Sequence, residues 1–416
     1  MNRRELADWY LALPIAERQP SHVEPRPGSE SAQRRLARWK AQAPFGQGVP
    51  FDARLSLDNL REEELLGLLG ESSTALKKRL CVDLEFVDRL VEAVSSPTSV
   101  EPDRARAEDG LTAEASPADR LLEPLGSLLD DARTRLVGGI ARLVAKYPRA
   151  PLDAEALQHA LMPTLRVRYA SLCGRTLTLE LNVARLEGRL AGDTPERRFA
   201  DYLERLSKPE NLLDLLLEYP TLARLLVNTT DRWLEAALEV LEDVCIDHEA
   251  LVRTFTPDEP LGRLEDVAFG AGDTHRGGRS VAVCRFSSGL RLVYKPRSLA
   301  IDTQFQRLVE WLNLQGLEPQ LRTLQVLDAG SHGWVEFIPH EAATTQRQVE
   351  RFFERQGAYL AVLYALEAVD FHFENVIAMG EHPMLVDLEA LFHPRLGVED
   401  DHAVVFAPAR ALGRSV

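Results

Sequence analysis

A chain of 416 residues, 45% of them hydrophobic, is long enough for two or three ordinary cores, which excludes a small disulfide-stapled module or a disordered one. Lysine and arginine number 49 against 64 aspartates and glutamates, and the net charge of −15 excludes broad binding to nucleic acid or to an anionic membrane, so an anionic ligand needs a local basic site. The four cysteines, Cys81, Cys173, Cys245 and Cys284, form no CxxC pair and fit a reducing, cytoplasmic setting. Met1 to Pro14 has charges where a signal peptide needs an apolar core, and no apolar run approaches the roughly 18 residues of a membrane span.

In chain order, residues 1 to about 95 carry a helical pattern, as in LDNLREEELLGLLG (57–70), where leucines recur at three- and four-residue steps. Ser95 to Arg120 is rich in proline, serine and charge and reads as an exposed linker. Helices dominate again from Leu121 to about Phe255, with Pro220 marking a break. Near Leu261 the pattern turns to short β-type runs: LEDVAF (264–269), SVAVCRF (280–286), LRLVYK (290–295), TLQVLDAG (323–330) and GWVEFI (333–338). A helix fits Thr345 to Ala368, and a hairpin follows, NVIAMG then MLVDLEALF, turning at Glu381, His382 and Pro383. The fold class is α+β: a mostly helical N-terminal scaffold, a β-rich lobe and a partial C-terminal lobe.

Two segments carry candidate chemistry. The loop GAGDTHRGGRSV (270–281) includes Gly277 and Gly278, and glycines let backbone N–H groups approach phosphates closely. Six basic residues and no acidic one lie between Thr274 and Arg297. With Ser287, Ser288 and Gly289 as a hairpin turn, Phe286 faces Leu290 and Lys295 falls opposite Val281, beside the end of that loop. A strand lysine beside a phosphate-covering loop is how protein kinases hold nucleotide phosphates. In VDFHFENVIAMGEHPMLVDLEALF (369–392), Asp370 and Asn375 have the spacing of a catalytic aspartate and a metal-binding asparagine, and Asp387 follows where a second metal ligand is expected. With a turn at Gly380 to Pro383, Met379 faces Met384 and Val376 faces Asp387, so Asn375 and Asp387 emerge at one end and suit Mg²⁺. Glu389 shares the strand face of Asp387, and His372 lies inside the same loop. Asp273 and His275, an acid beside an imidazole, suggest proton transfer in addition to phosphoryl transfer. There is no HExxH and no GxSxG, and Cys284 reads as a buried strand residue.

These residues resemble a known family. QGAYLAVLYALEAVDFHFENVIAMGEHPMLVDLEALFHP, with LRLVYKPRSLAID and FADYLERLSKPENLLDLLLEYPTLARLL upstream, is similar to the dehydratase domain of class II (LanM-type) lanthipeptide synthetases, closely from about Gly262 to Pro394. The resemblance implies a lipid-kinase-like fold with helical region 1–120, helical scaffold 121–260, β-rich kinase-like lobe 261–344 and partial catalytic lobe 345–416. It implies ATP- and Mg²⁺-dependent phosphorylation of serine and threonine in a ribosomal precursor peptide, followed by phosphate elimination to dehydroalanine or dehydrobutyrine. Lys295 then binds ATP phosphates, Asp370 is the base, Asn375 and Asp387 hold metal, His372 and Glu389 match further functional positions, and Asp273 and His275 match the elimination pair. Family members continue into the rest of a kinase lobe and a zinc cyclase. This chain is therefore expected to be a truncated form without zinc, whose missing lobe and cyclase a separate chain could supply. A leader-peptide-binding remnant and a small-molecule or lipid kinase are the competing expectations.

Overall fold

The computed structural model describes residues 3–18, 29–48, 50–96, 117–274 and 279–391. The fold is α+β, and the described strands all follow Leu261: β1 (Leu264–Thr274), β2 (Ser280–Phe286), β3 (Arg291–Lys295), β4 (Val326–Asp328), β5 (Gly333–Glu336), β6 (Val376–Met379) and β7 (His382–Leu385). Helices start where the sequence supplies caps. Thr194 accepts from Arg197 N with Pro195 in the first turn, and Thr345 and Gln348 form a reciprocal capping box. Pro220 does separate two helices, Pro209–Glu218 and Pro220–Phe255. Residues 97–116 of the expected linker lie outside the described residues, and Pro117–Arg120 is a single helical turn. No described helix is long and apolar enough to cross a membrane.

Contacts divide the chain into two units. Met1–Leu136 with Pro163–Leu234 is helical throughout its described secondary structure and buries Trp9, Tyr169 and Trp233. Two buried polar pairs lie inside it: Trp233 Nε1 donates to Thr164 Oγ1 at 2.9 Å, and the Tyr169 and Thr230 hydroxyls lie 2.6 Å apart.

The second unit, Val137–Met162 with Glu235–Val416, contains the sheets. Five strands pair antiparallel in the order β1-β2-β3-β5-β4. The β2–β3 register follows from the Ser287–Gly289 turn: Val283 pairs Val293, Ala282 pairs Tyr294, and Phe286 N donates to Leu290 O. Period-two alternation gives the sheet two faces. Ala282, Cys284, Tyr294 and Trp334 are buried on one; Val283, Val293, Lys295 and Val335 share the other. Cys284 is fully buried, as its strand position implied, and burial pushes its thiol well above the usual range.

Three sequence expectations need correction. The run 323–330 contributes only the three-residue β4, because flanking backbone is used elsewhere: Leu324 N donates to the side chain of Gln306 and Ala329 N to His332 O. A 15-residue helix, Ala300–Leu314, lies between β3 and β4 where none was assigned. In the second hairpin the turn is tighter than expected, so Met379 pairs His382 rather than Met384, and Val376 pairs Leu385 rather than Asp387. Gly380, with φ +59°, takes the left-handed turn conformation, and Pro383 sits within β7 opposite Ala378.

Behind the sheet, Tyr294 hydroxyl donates to Asp243 Oδ2 at 2.7 Å, Trp334 Nε1 donates to Asp247 Oδ2 at 2.7 Å, and His332 Nε2 lies 2.8 Å from the same Asp247 oxygen. The hydrogen bond to Asp247 holds the His332 imidazole above its ordinary pKa of 6.5, with Asp243 and the more distant Glu239 adding to the effect and burial opposing it. The other groups facing the ring are the Tyr294 and Trp334 side chains and the Ser331 hydroxyl. A raised folded-state pKa stabilises the fold fully below 6.5 and loses that contribution as pH rises through the raised value. The melting temperature of the natural protein should therefore fall toward that of His332→Gln as pH is raised above 6.5; melts at several pH values check this, and a constant gap would refute it.

Gly333 pairs Lys295 across β3–β5. A Cβ there would lie 2.5 Å from Leu299 Cδ1 and 2.7 Å from the Leu327 carbonyl oxygen. Gly333→Ala is expected to destabilise the protein by about 1–3 kcal/mol through overpacking, measurable by denaturant unfolding.

Candidate active site

Between the cleft face of the five-stranded sheet and the β6–β7 hairpin lies a cleft of about 550 Å³. One half is apolar. Val283, Val293 and Val335 from the sheet face Ile377 and Leu385 from the hairpin, a slot suited to a flat ring system. The other half is polar, lined by Lys295, Asp302, Asp370, His372, Asn375, Asp387 and Glu389. Six residues singled out from the sequence, Lys295, Asp370, His372, Asn375, Asp387 and Glu389, thus come together around one cleft. Of the remainder, His275, Gly277 and Gly278 lie outside the described residues, and Asp273 is described only as backbone at the end of β1. The loop is shorter than its glycine pattern implied, because β1 extends to Thr274, which pairs Ser280 across an irregularity.

Lys295 is 8% exposed and ends β3. Its Nζ donates to the Val386 carbonyl and lies 3.6 Å from Asp302 Oδ1. Burial lowers its pKa, and the Asp302 carboxylate opposes that shift. Asp302, 4% exposed, sits in the first turn of the helix Ala300–Leu314 and also binds Arg297 at 2.8 Å. Arg297 in turn approaches Asp387 and Glu389, each at 3.7 Å, so one guanidinium links three carboxylates. Neither Asp302 nor Arg297 was assigned a role from sequence. The signal available was helical spacing of Ile301, Phe305, Val309 and Leu312 directly after the lysine strand, which marks a helix whose first turn returns to that strand.

Asp370 follows the helix Gln346–Ala365 and has φ +65°, a left-handed conformation costly for a residue with a Cβ. Neighbours hold it there. Asn375 Nδ2 donates to the Asp370 carbonyl at 2.7 Å, and Asn375 N donates to His372 O at 3.0 Å. Because the amide nitrogen of Asn375 is taken, its amide oxygen is the atom left to meet a cation. His372 Nδ1 accepts from Glu374 N at 3.3 Å, which assigns the proton of the neutral ring to Nε2, 3.5 Å from Asp370 Oδ1. Asp387 leaves β7 two residues past Leu385, and Val386 N donates to Asn375 O at 3.1 Å. The register correction therefore preserves the neighbourhood of Asn375 and Asp387, since both lie at the open end of the hairpin.

Asp302, Glu336, Asp370, Glu374, Asp387 and Glu389 bring six carboxylates to a cleft whose buried cation, among the described residues, is Lys295. Among the described residues no group of three or more His, Cys, Asp or Glu could hold a metal ion by itself. Comparison with known proteins gives two similarities. Residues 219–416 match a family model described as a domain of unknown function, DUF4135. Over 239 residues the chain is 26% identical to the Lacticin 481/lactococcin biosynthesis protein LcnDR2 of Lactococcus lactis subsp. lactis, a stretch covering 55% of this chain and 26% of that relative. The chain thus spans about a quarter of the length of the curated relative it matches.

Proposed function

We propose that the chain carries a kinase-like peptide dehydratase site of a class II lanthipeptide synthetase, which phosphorylates serine and threonine in a ribosomal precursor peptide and then eliminates phosphate. The observation that carries this reading is the cleft that gathers Lys295, held by Asp302, with Asp370, Asn375 and Asp387. Similarity to a lacticin 481/lactococcin biosynthesis protein supports a peptide as the acceptor. In this reading the apolar slot takes the adenine and Lys295 meets the phosphates. Asp370 accepts the proton of the substrate hydroxyl as its oxygen bonds to the γ-phosphorus and the bond to ADP breaks.

Six carboxylates would repel a bare polyphosphate, so nucleotide should enter with its cation. Asn375, Asp387 and Glu389 supply the oxygen donors that Mg²⁺ prefers. Mg²⁺ held there would offset charge on the transferring phosphoryl group. In elimination, a base removes the α-proton, the Cα–Cβ double bond forms, and the Cβ–O bond breaks to release phosphate. Asp273 and His275 are assigned to that step by resemblance.

The test is mass spectrometry of a precursor peptide incubated with the chain, ATP and Mg²⁺. Gain of a phosphoryl group or loss of water, abolished by Lys295→Ala, is expected. An unchanged mass for a peptide that demonstrably binds would overturn the assignment, and modification of only a non-peptide acceptor would overturn its peptide half.

A further inference from the structure

Glu239, Asp243 and Asp247 are spaced four residues apart on the helix Pro220–Phe255, so they form one stripe. Each grips a different part of the five-stranded sheet. Glu239 Oε2 accepts from Arg279 Nε at 2.7 Å, immediately before β2. Asp243 accepts from the Tyr294 hydroxyl on β3, and Asp247 accepts from Trp334 on β5 and meets His332 just before it. A helix can pack on a sheet with apolar side chains alone, and Val240 and Val244 of this helix are buried. Directed bonds of 2.7–2.8 Å add what apolar packing lacks, a fixed register between helix and strands.

That register reaches the cleft. Tyr294 pairs Trp334, and the next pair is Lys295 with Gly333. Successive strand residues point to opposite faces, so fixing Tyr294 toward the helix aims Lys295 at the cleft. None of the ladder residues or their aromatic partners lines the cleft itself. We propose that Glu239, Asp243 and Asp247 act as an acidic ladder that positions Lys295 and the start of β2 for nucleotide binding. They are positioning residues, and the proposal rests on the reading of the cleft as a nucleotide site.

The test uses the whole chain and measures binding of a fluorescent ATP analogue with Mg²⁺ alongside thermal melting. Tyr294→Phe and Asp243→Ala each remove the central rung and are expected to weaken binding about tenfold, the scale of a small misplacement at a binding group. Asp243→Asn keeps an acceptor oxygen for Tyr294 and should restore affinity to within about threefold of the natural protein. Val240→Ala on the same helix lowers the melting temperature without touching a rung and should leave affinity within about twofold. Wild-type affinity in Tyr294→Phe and Asp243→Ala would overturn the ladder, as would an equal loss in Val240→Ala. Separately, Lys295→Ala must abolish binding. If it binds as well as the natural protein, the nucleotide reading fails and the ladder proposal falls with it.

Discussion

Asp370→Asn is expected to reduce ATP-dependent peptide modification by about 10²–10⁴-fold, the range that a positioned acid–base group commands, and Asp387→Asn, which weakens the hold on the cation, by about as much. The two should fail differently. Asp370→Asn removes the acceptor for the substrate hydroxyl proton while leaving nucleotide affinity near the natural value. Asp387→Asn removes a carboxylate from the cation side, so its loss should be partly offset by raising Mg²⁺ concentration. Both side chains are substantially exposed, 68% and 42%, and melting temperatures should scarcely move, since surface substitutions usually stay within about 0.5 kcal/mol. Single-turnover rates and nucleotide affinities measured across Mg²⁺ concentrations make the distinction. Full activity in Asp370→Asn would remove it from the role of base.

The second large effect falls on stability. Asp302→Ala leaves Lys295 buried opposite a missing carboxylate and takes from Arg297 its 2.8 Å partner, which is why a loss of about 3–5 kcal/mol is expected in denaturant unfolding. The double variant Lys295→Met with Asp302→Leu replaces the pair by apolar groups of similar size and should regain most of that loss. It should still bind no nucleotide. Recovery of stability without recovery of binding separates the electrostatic role of the pair from its packing. If Asp302→Ala melts like the natural protein, the pair is not the support for Lys295 described above.

The legible parts of the site were those set by short-range geometry. Lys295 was placed opposite Val281 because a three-residue turn propagates its register along two strands, and the observed pairs, ending at Ala282 with Tyr294, follow that register. Asp370, His372 and Asn375 lie within one loop, so their proximity needs no tertiary information. The hairpin was harder. Glu381-His382-Pro383 reads as turn chemistry, yet the left-handed Gly380 turns the chain sooner and moves the register by two residues. A two-residue shift keeps every side chain on its face, which is why the relation of Asn375 to Asp387 survived.

What stayed illegible depended on distant partners. The helix Ala300–Leu314 starts at Leu299 without a side-chain cap, so the usual start signal was missing. Asp302 therefore looked like any charged residue. The partners of Glu239, Asp243 and Asp247 could not be read from sequence, since nothing local shows that their donors sit on or immediately before strands roughly 40 to 90 residues later. The apolar slot was likewise invisible, because it is shared between a sheet and a hairpin that meet only after folding.

The left-handed backbone at Asp370 restricts which amino acids that position can hold independently of any chemistry. Glycine enters that conformation freely, and asparagine and aspartate enter it at modest cost, whereas alanine and β-branched residues resist it. An alanine scan across the loop would thus conflate a missing carboxylate with a distorted peptide at this one residue. Among the substitutions tolerated by the backbone, only aspartate supplies a proton acceptor, so the shape of the chain and its chemistry select the same side chain for different reasons. A library built at this position should return folded loops for three residue types and turnover for one.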